Sequence, residues 1–208
     1  MPDEERDAYL DTVLIGGREP VTIVVRDYDP AWPDRFETLR ARIVDALGTR
    51  ALDVQHIGST SVPGLAAKPI IDILVTVAQV EAEDDYAPPM YDAGFALRVR
   101  EPGHRMFRTP ERKVHVHVYE PADQAVTDYL DLRDWLRFDD SDRTLYAVTK
   151  RDLARREWTD MNAYADAKSA VIAQILARAR EWRSYRPSRV LSAIPNRFLH
   201  RPVCGWGR

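Results

Sequence analysis

The stretch that most constrains this chain is Ile70–Val77, IIDILVTV, eight residues of which only Asp72 is charged. A run so short, so apolar and so rich in β-branched side chains suits a strand buried on both faces. Such a strand needs elements packed over each side of its sheet. Asp72 then becomes the residue to explain. A lone carboxylate in an apolar strand is costly to bury unless it meets a cation, a metal or hydrogen-bond donors.

The flanking sequence supplies the other elements. Val21–Val25 is β-branched and reads as a strand. Asp29 before Pro30 predicts a helix start; Phe36, Leu39, Ile43 and Leu47 then recur at helical spacing up to Gly48. Ala51–Ile57 reads as a second strand. The acidic stretch EAEDDYAPP reads as surface, with Pro88-Pro89 opening a short helix through Ala93 that Gly94 caps. Phe95–Arg100 and His104–Thr109 flank Glu101-Pro102-Gly103 as a hairpin. Lys113–Tyr119 alternates, with three valines on one face and Lys113, His115, His117 and Tyr119 on the other. From Asp123 to about Trp182 the pattern is helical in three segments, with breaks near 139–141 and 158–160 and Ser141 and Thr159 as N-caps. Strands first and helices last predict an α+β fold, a mixed β-sheet with flanking helices and a C-terminal helical segment, and exclude a Rossmann fold.

The expected organisation is a leader over residues 1–20 with about one helical turn and a domain over 21–182. Within that domain the sheet region covers about 21–120 and the helical region about 123–182. Residues 183–208 carry six arginines, no acid and three prolines, and are expected to form a poorly ordered basic tail. The net charge of −3 hides this asymmetry, because the rest of the chain has 24 basic against 33 acidic side chains. An acidic body argues against nucleic-acid binding. Cys204 is the single cysteine, so no internal disulfide can form. No apolar run approaches the ~20 residues of a membrane span, and the acidic start MPDEERD lacks the basic region of a signal peptide. A cytoplasmic protein is expected.

The richest chemistry lies in QHIGSTSVPGLAAKPIIDI. Gly58 followed by Ser59, Thr60 and Ser61 after a strand can present backbone and hydroxyl donors to a phosphate, with Lys68 adding a charge; the alternative is a plain turn. His115 and His117 share a strand face at i and i+2, suited to a metal or an anion, with Asp72 as the third ligand, or to a half-exposed polar edge. Arg98, Arg100, Arg105 and Arg108 surround the hairpin with His104 among them. They either solvate it or hold the oxyanions of a substrate. Tyr146 with Lys150 and Tyr164 with Lys168 stand four apart on helix faces, the tyrosines as core and the lysines reaching either solvent or a cleft.

The segment HIGSTSVPGLAAKPIIDILV resembles the signature of the GrpB family, within the nucleotidyltransferase superfamily of the DNA polymerase beta type. DYDPAWPDRFE, EPGHRMFRTP, VHVHVYE, LDLRDWLR and EWTDMNAYADAKSAVIAQILARA resemble its further blocks in the same order, over roughly residues 20–182. The resemblance implies a Gly-Ser pair at a helix start, a strand with two aspartates two apart, and a third carboxylate on a neighbouring strand. Together these hold two divalent metals and a nucleoside triphosphate. Gly58-Ser59 and Asp72 match, Leu74 stands where the second aspartate belongs, and the neighbouring-strand position falls among His115, His117 and Glu120. The implied function is binding of Mg2+ with ATP or another nucleoside triphosphate, and transfer of a nucleotidyl group to a small acceptor or its adenylation for ligation. On this reading Asp72, His115 and His117 would be the catalytic and metal residues. Gly58, Ser59, Thr60, Ser61, Lys68, His104, Arg105, Arg108, Lys150 and Lys168 are the binding residues. The family also occurs fused to dephospho-CoA kinase, which implies the other reading, a non-catalytic nucleotide- or anion-binding accessory domain.

Overall fold

A computed structural model describes residues 3–185 of the chain. The elements are, in order, α1 (Asp3–Val13), α2 (Trp32–Leu47), β1 (Asp53–Ile57), β2 (Ile71–Thr76), α3 (Glu83–Asp92), β3 (Ala96–Glu101), β4 (His104–Arg108), β5 (Val114–Tyr119), α4 (Gln124–Phe138), α5 (Asp140–Ala154), α6 (Met161–Asp166) and α7 (Ser169–Ser184). The strands form one five-stranded sheet in the order β1-β2-β5-β4-β3. Only β2 and β5 run parallel. The α+β, mixed-sheet expectation is therefore met. Among the described residues no helix is long and apolar enough to cross a membrane.

β2 is an interior strand, between β1 and β5, and is buried on both faces, as its composition demands. Ile71, Ile73 and Val75 pair with Val114, Val116 and Val118 of β5. This face joins Phe107 and the buried side of α2 and α3 in the largest core cluster. Asp72 and Leu74 point the other way, beside His115 and His117. That second face is covered by α4, whose Ala125, Val126, Tyr129 and Leu130 pack on Ile57, Leu74 and Tyr119.

Several local expectations need correction. Residues 21–25 form no strand; Ile23 is instead buried with Leu153 and Tyr164, so the apolar run packs on helices, and pairing is limited to one bridge between Arg26 and Ala67. The leader is an eleven-residue helix whose Leu10 and Val13 are buried, and Leu14 just beyond it bridges Val99 at the edge strand. Asp29 accepts from the amide of Ala31 at 2.9 Å in the turn before α2, and Pro33 rather than Pro30 sits in the first turn. The acids of the acidic stretch are at the surface as expected, with Glu81, Asp84 and Asp85 exposed, but the helix begins among them. α3 starts at Glu83 and carries Pro88 and Pro89 inside it, because burial of Tyr86, Ala87 and Met90 outweighs the amide donors the prolines lack. The C-terminal region holds four helices, and Asp123, Asp139 and Asp160 cap α4, α5 and α6, not Ser141 and Thr159. α7 runs to Ser184. The proposed basic tail lies, from residue 186 on, outside the described residues.

Candidate functional site

The end of β1 turns sharply at Gly58, whose φ of 67° lies in the region that favours glycine. A Cβ there would stand 2.4 Å from Asp72 Oδ2. The glycine thus lets the backbone of the loop approach the carboxylate. Ser59–Ser61 follow as a single 3-10 turn, held by the Ser61 hydroxyl donating to the Gly58 carbonyl at 2.6 Å. The Thr60 hydroxyl donates to the Ile70 carbonyl at 3.1 Å, which ties the loop to the start of β2.

Asp72 faces His115 across the parallel pair, with Oδ1 3.3 Å from His115 Nδ1. His117 completes a group of three whose ligand atoms all lie within 4.8 Å of one another. Burial works to raise the Asp72 carboxyl, but the His115 contact and the nearby His117 and Lys68 hold it below its ordinary value. Burial brings His117 down to about 3, so the ring is neutral at physiological pH and keeps a lone pair for a ligand. Behind it, His104 Nε2 lies 3.1 Å from His117 Nδ1, and His104 Nδ1 lies 2.6 Å from Glu101 Oε1. A carboxylate fixing one ring, which fixes a second, is a supporting arrangement for a metal ligand.

One carboxylate and two imidazoles suit Zn2+ or Mn2+ better than Mg2+, which demands oxygen donors. The donor set therefore favours a divalent transition ion over the expected Mg2+. Glu120 is not part of it; its carboxylate accepts from the amide of Val80 at 3.2 Å. Leu74 is 1 % exposed under α4, and its register partner is His117.

These groups open into a cavity of about 290 Å³ whose wall includes Gly58, Ser59, Asp72, His115 and His117. Three lysines from separate elements converge on the same space: Lys68, Lys150 and Lys168. Lys150 is 3 % exposed and donates to Ser59 Oγ at 2.8 Å and to the Ala66 carbonyl at 2.5 Å. Its ammonium lies 4.5 Å over the Tyr146 ring, and that of Lys168 lies 4.6 Å over Tyr164. Burial, reinforced by the neighbouring cations, drives Lys150 well below its ordinary value; burial and Lys168 bring Lys68 to about 8. Lys168 is lowered by burial as well. Three lysines thus share one carboxylate in a partly dehydrated space.

A second cavity of about 380 Å³ adjoins the first, and Lys68, Ile70, His115 and Met161 line both. Arg108 lies on this second wall. Of the sequence candidates, Gly58, Ser59, Thr60, Lys68, Asp72, His115, His117, Lys150 and Lys168 meet in the first cavity. Ser61 does not line it and serves the turn. Arg105 points to the opposite face, where its guanidinium meets Glu81 and Glu83; neighbouring strand residues alternate faces, so it cannot share a site with Arg108. His104 lines neither cavity and backs His117. Sequence reading missed Tyr129, Arg133 and Met161 in the wall, and Glu101 behind His104. Glu101, Arg133 and Met161 each carried a signal, since they fall within EPGHRMFRTP, LDLRDWLR and EWTDMNAYADAKSAVIAQILARA; Tyr129 carried none.

Comparison with known proteins agrees with this architecture. The GrpB protein family model matches residues 22–178. A UPF0157 protein of Streptomyces coelicolor is 56% identical over 166 residues, covering 80% of this chain and 89% of that protein. The crystal structure of the conserved protein GrpB from Enterococcus faecalis superposes with a TM-score of 0.70 at 34% identity, over 78% of this chain and 100% of that one. The dephospho-CoA kinase of Mycobacterium tuberculosis is 30% identical over 195 residues, covering 79% of this chain but only 47% of the kinase. With a family model spanning most of the described residues and relatives matched over most of their length, the chain belongs to the GrpB family.

Proposed function

We propose that the protein binds a metal–nucleoside triphosphate in the first cavity and transfers a nucleotidyl group to a small acceptor, or adenylates the acceptor's carboxylate for ligation. The observation that carries this reading is the convergence of Lys68, Lys150 and Lys168 with the Gly58-Ser59 turn and Asp72 on one cavity. Lysines pushed down by burial and mutual repulsion call for a polyanion, and a triphosphate supplies the missing charge. Ser59 and the turn amides hold the terminal phosphates, and the lysines neutralise them. Asp72, His115 and His117 would hold the ion, which would supply charge to offset the phosphates. The acceptor oxygen then bonds to the α-phosphorus as the α–β bridging P–O bond breaks, and pyrophosphate leaves. A carboxylate acceptor attacks without giving up a proton.

A second reading, a non-catalytic accessory domain that binds nucleotide or another anion, is favoured by Leu74, which removes the paired carboxylate. Calorimetry with ATP, GTP, CTP and UTP, each with Mg2+, Mn2+ or Zn2+, separates the readings when combined with a pyrophosphate-release assay. The expected result is micromolar binding of one nucleotide, strongest with Mn2+ or Zn2+, weakened at least about tenfold by Asp72→Asn. Binding without pyrophosphate release across a panel of small carboxylates favours the accessory reading. No binding of any nucleotide with any of the three ions overturns both nucleotide readings.

A further inference from the structure

The second cavity holds an imbalance of its own. Arg98 is only 7 % exposed, yet its guanidinium donates to the carbonyls of Ile15 and Gly17 and forms no direct ion pair among the described residues, feeling Glu19 only at longer range. Arg108 and Arg112 close on the same space and share a single acid, Glu19, which accepts from Arg108 at 2.8 Å through both oxygens and from Arg112 at 3.1 Å. Three guanidinium groups therefore stand against one carboxylate. Arg26 and Lys113 add two exposed cations at the rim, and Lys68 another at the junction with the first cavity. Asp160, the only other acid in the wall, is already committed as the cap of α6. Arg112 is the only described non-glycine residue with positive φ, 56°, a conformation that costs about 1 kcal/mol and places its side chain on Glu19. The rest of the lining is largely apolar, with Val21, Val24, Pro69, Val99 and Met106.

An uncompensated cluster of guanidinium groups above an apolar floor recognises an anionic head on an apolar body. The position is equally informative, because the cavity meets the first one at Lys68 and His115, next to Asp72. We propose that this second cavity is the acceptor site and takes a small organic anion, a carboxylate or a phosphate monoester, with an apolar portion. The role as acceptor site rests on the nucleotidyl-transfer reading; the binding of an anion does not.

Methionine methyl NMR on the full chain tests the binding without nucleotide. Met106 lines only this cavity, Met161 lines both, and Met90 is buried in the core beneath the opposite face of the sheet as an internal control. The probes are 4-phenylbutyrate, phenyl phosphate and the neutral 4-phenylbutanamide. The two anions are expected to shift Met106 and Met161 saturably while Met90 stays fixed, and the amide to bind at least about tenfold more weakly. The ratio of the two anions' affinities tells carboxylate from phosphate. Arg26→Glu combined with Lys113→Glu, both at exposed positions, should weaken the anions by about tenfold or more. The proposal is overturned if the amide binds as well as the anions, if the charge reversals leave affinity unchanged, or if Met106 does not move up to the solubility limit of either anion. Failure of nucleotide binding in calorimetry would remove the acceptor role and leave the anion site standing, so the two readings fail separately. If both bind, saturating nucleotide should perturb Met161 with Met106 still free to titrate with 4-phenylbutyrate; mutual exclusion would overturn the acceptor assignment.

Discussion

The two faces of the central strands differ by one residue of register and carry different kinds of physics. On one face, Ile73, Val75, Val116, Val118 and Phe107 are dry and packed by α2 and α3. On the other, residues offset by one place Asp72, His115 and His117 against Leu74, Tyr119 and the helix α4. The first face gains free energy by removing apolar surface from water, and any large apolar set of suitable shape could do so. The second keeps groups that are individually costly to bury and offsets that cost only in combination. Stability should therefore reside mainly in the first face and ligand affinity in the second.

The largest effect is expected where that division is breached. Leu74→Asp supplies the second carboxylate that the sequence resemblance implies, but it would lie among Ile57, Tyr119 and the α4 side chains. Urea denaturation should show a loss of about 5 kcal/mol, from lost burial and an unpaired charge together. Unchanged stability with stronger metal binding would instead show that Leu74 belongs to the site. Phe107→Ala, on the dry face, should lose about 4 kcal/mol, with metal and nucleotide affinity changed no more than about twofold at a temperature where the variant is folded. A large fall in affinity there would mean the faces are coupled. Gly58→Ala tests the seam between them. Its Cβ would collide with Asp72 Oδ2 at a positive φ, so about 2 kcal/mol of stability and at least about tenfold in metal affinity should go together.

The smallest effect concerns a polar ring on the dry face. His56 pairs in register with Ile73, stacks on Phe36 at 4.6 Å and lies 3.0 Å from the Thr60 hydroxyl. Burial lowers it to about 4, so between that value and the ordinary imidazole value the unfolded chain binds more protons than the native one. Its contribution is fully present above about pH 6.5 and is lost as pH falls toward 4. Melting temperatures measured across that window should fall for the wild type and fall less for His56→Gln. Equal slopes would assign the acid sensitivity to other groups.

Much of this was legible in the chain itself. The alternation of Val114, Val116 and Val118 with His115 and His117 states which side chains share a face, because strand geometry has a fixed period of two. Likewise Phe36, Ile43 and Leu47 state the buried stripe of α2. Val21–Val25 misled because β-branched residues pack equally well without a ladder, and the prolines of α3 misled because burial outweighed local propensity.

The sequence by itself determined the five strands of the sheet, apart from adding one at 21–25, most of the helices and the residue types able to hold an anion or a metal, since those follow from short-range periodicity and side-chain chemistry. Only the tertiary structure decided which of them meet. Asp72 faces His115 because β2 and β5 run parallel in one particular register. Arg108 and Arg105 part company because adjacent strand residues point to opposite faces of a sheet whose two sides are covered by different helices. Lys68, Lys150 and Lys168 share a cavity although the first and last are a hundred residues apart. That convergence is set by how α5, α6 and α7 pack over the loop before β2, and long-range packing leaves no local pattern to read.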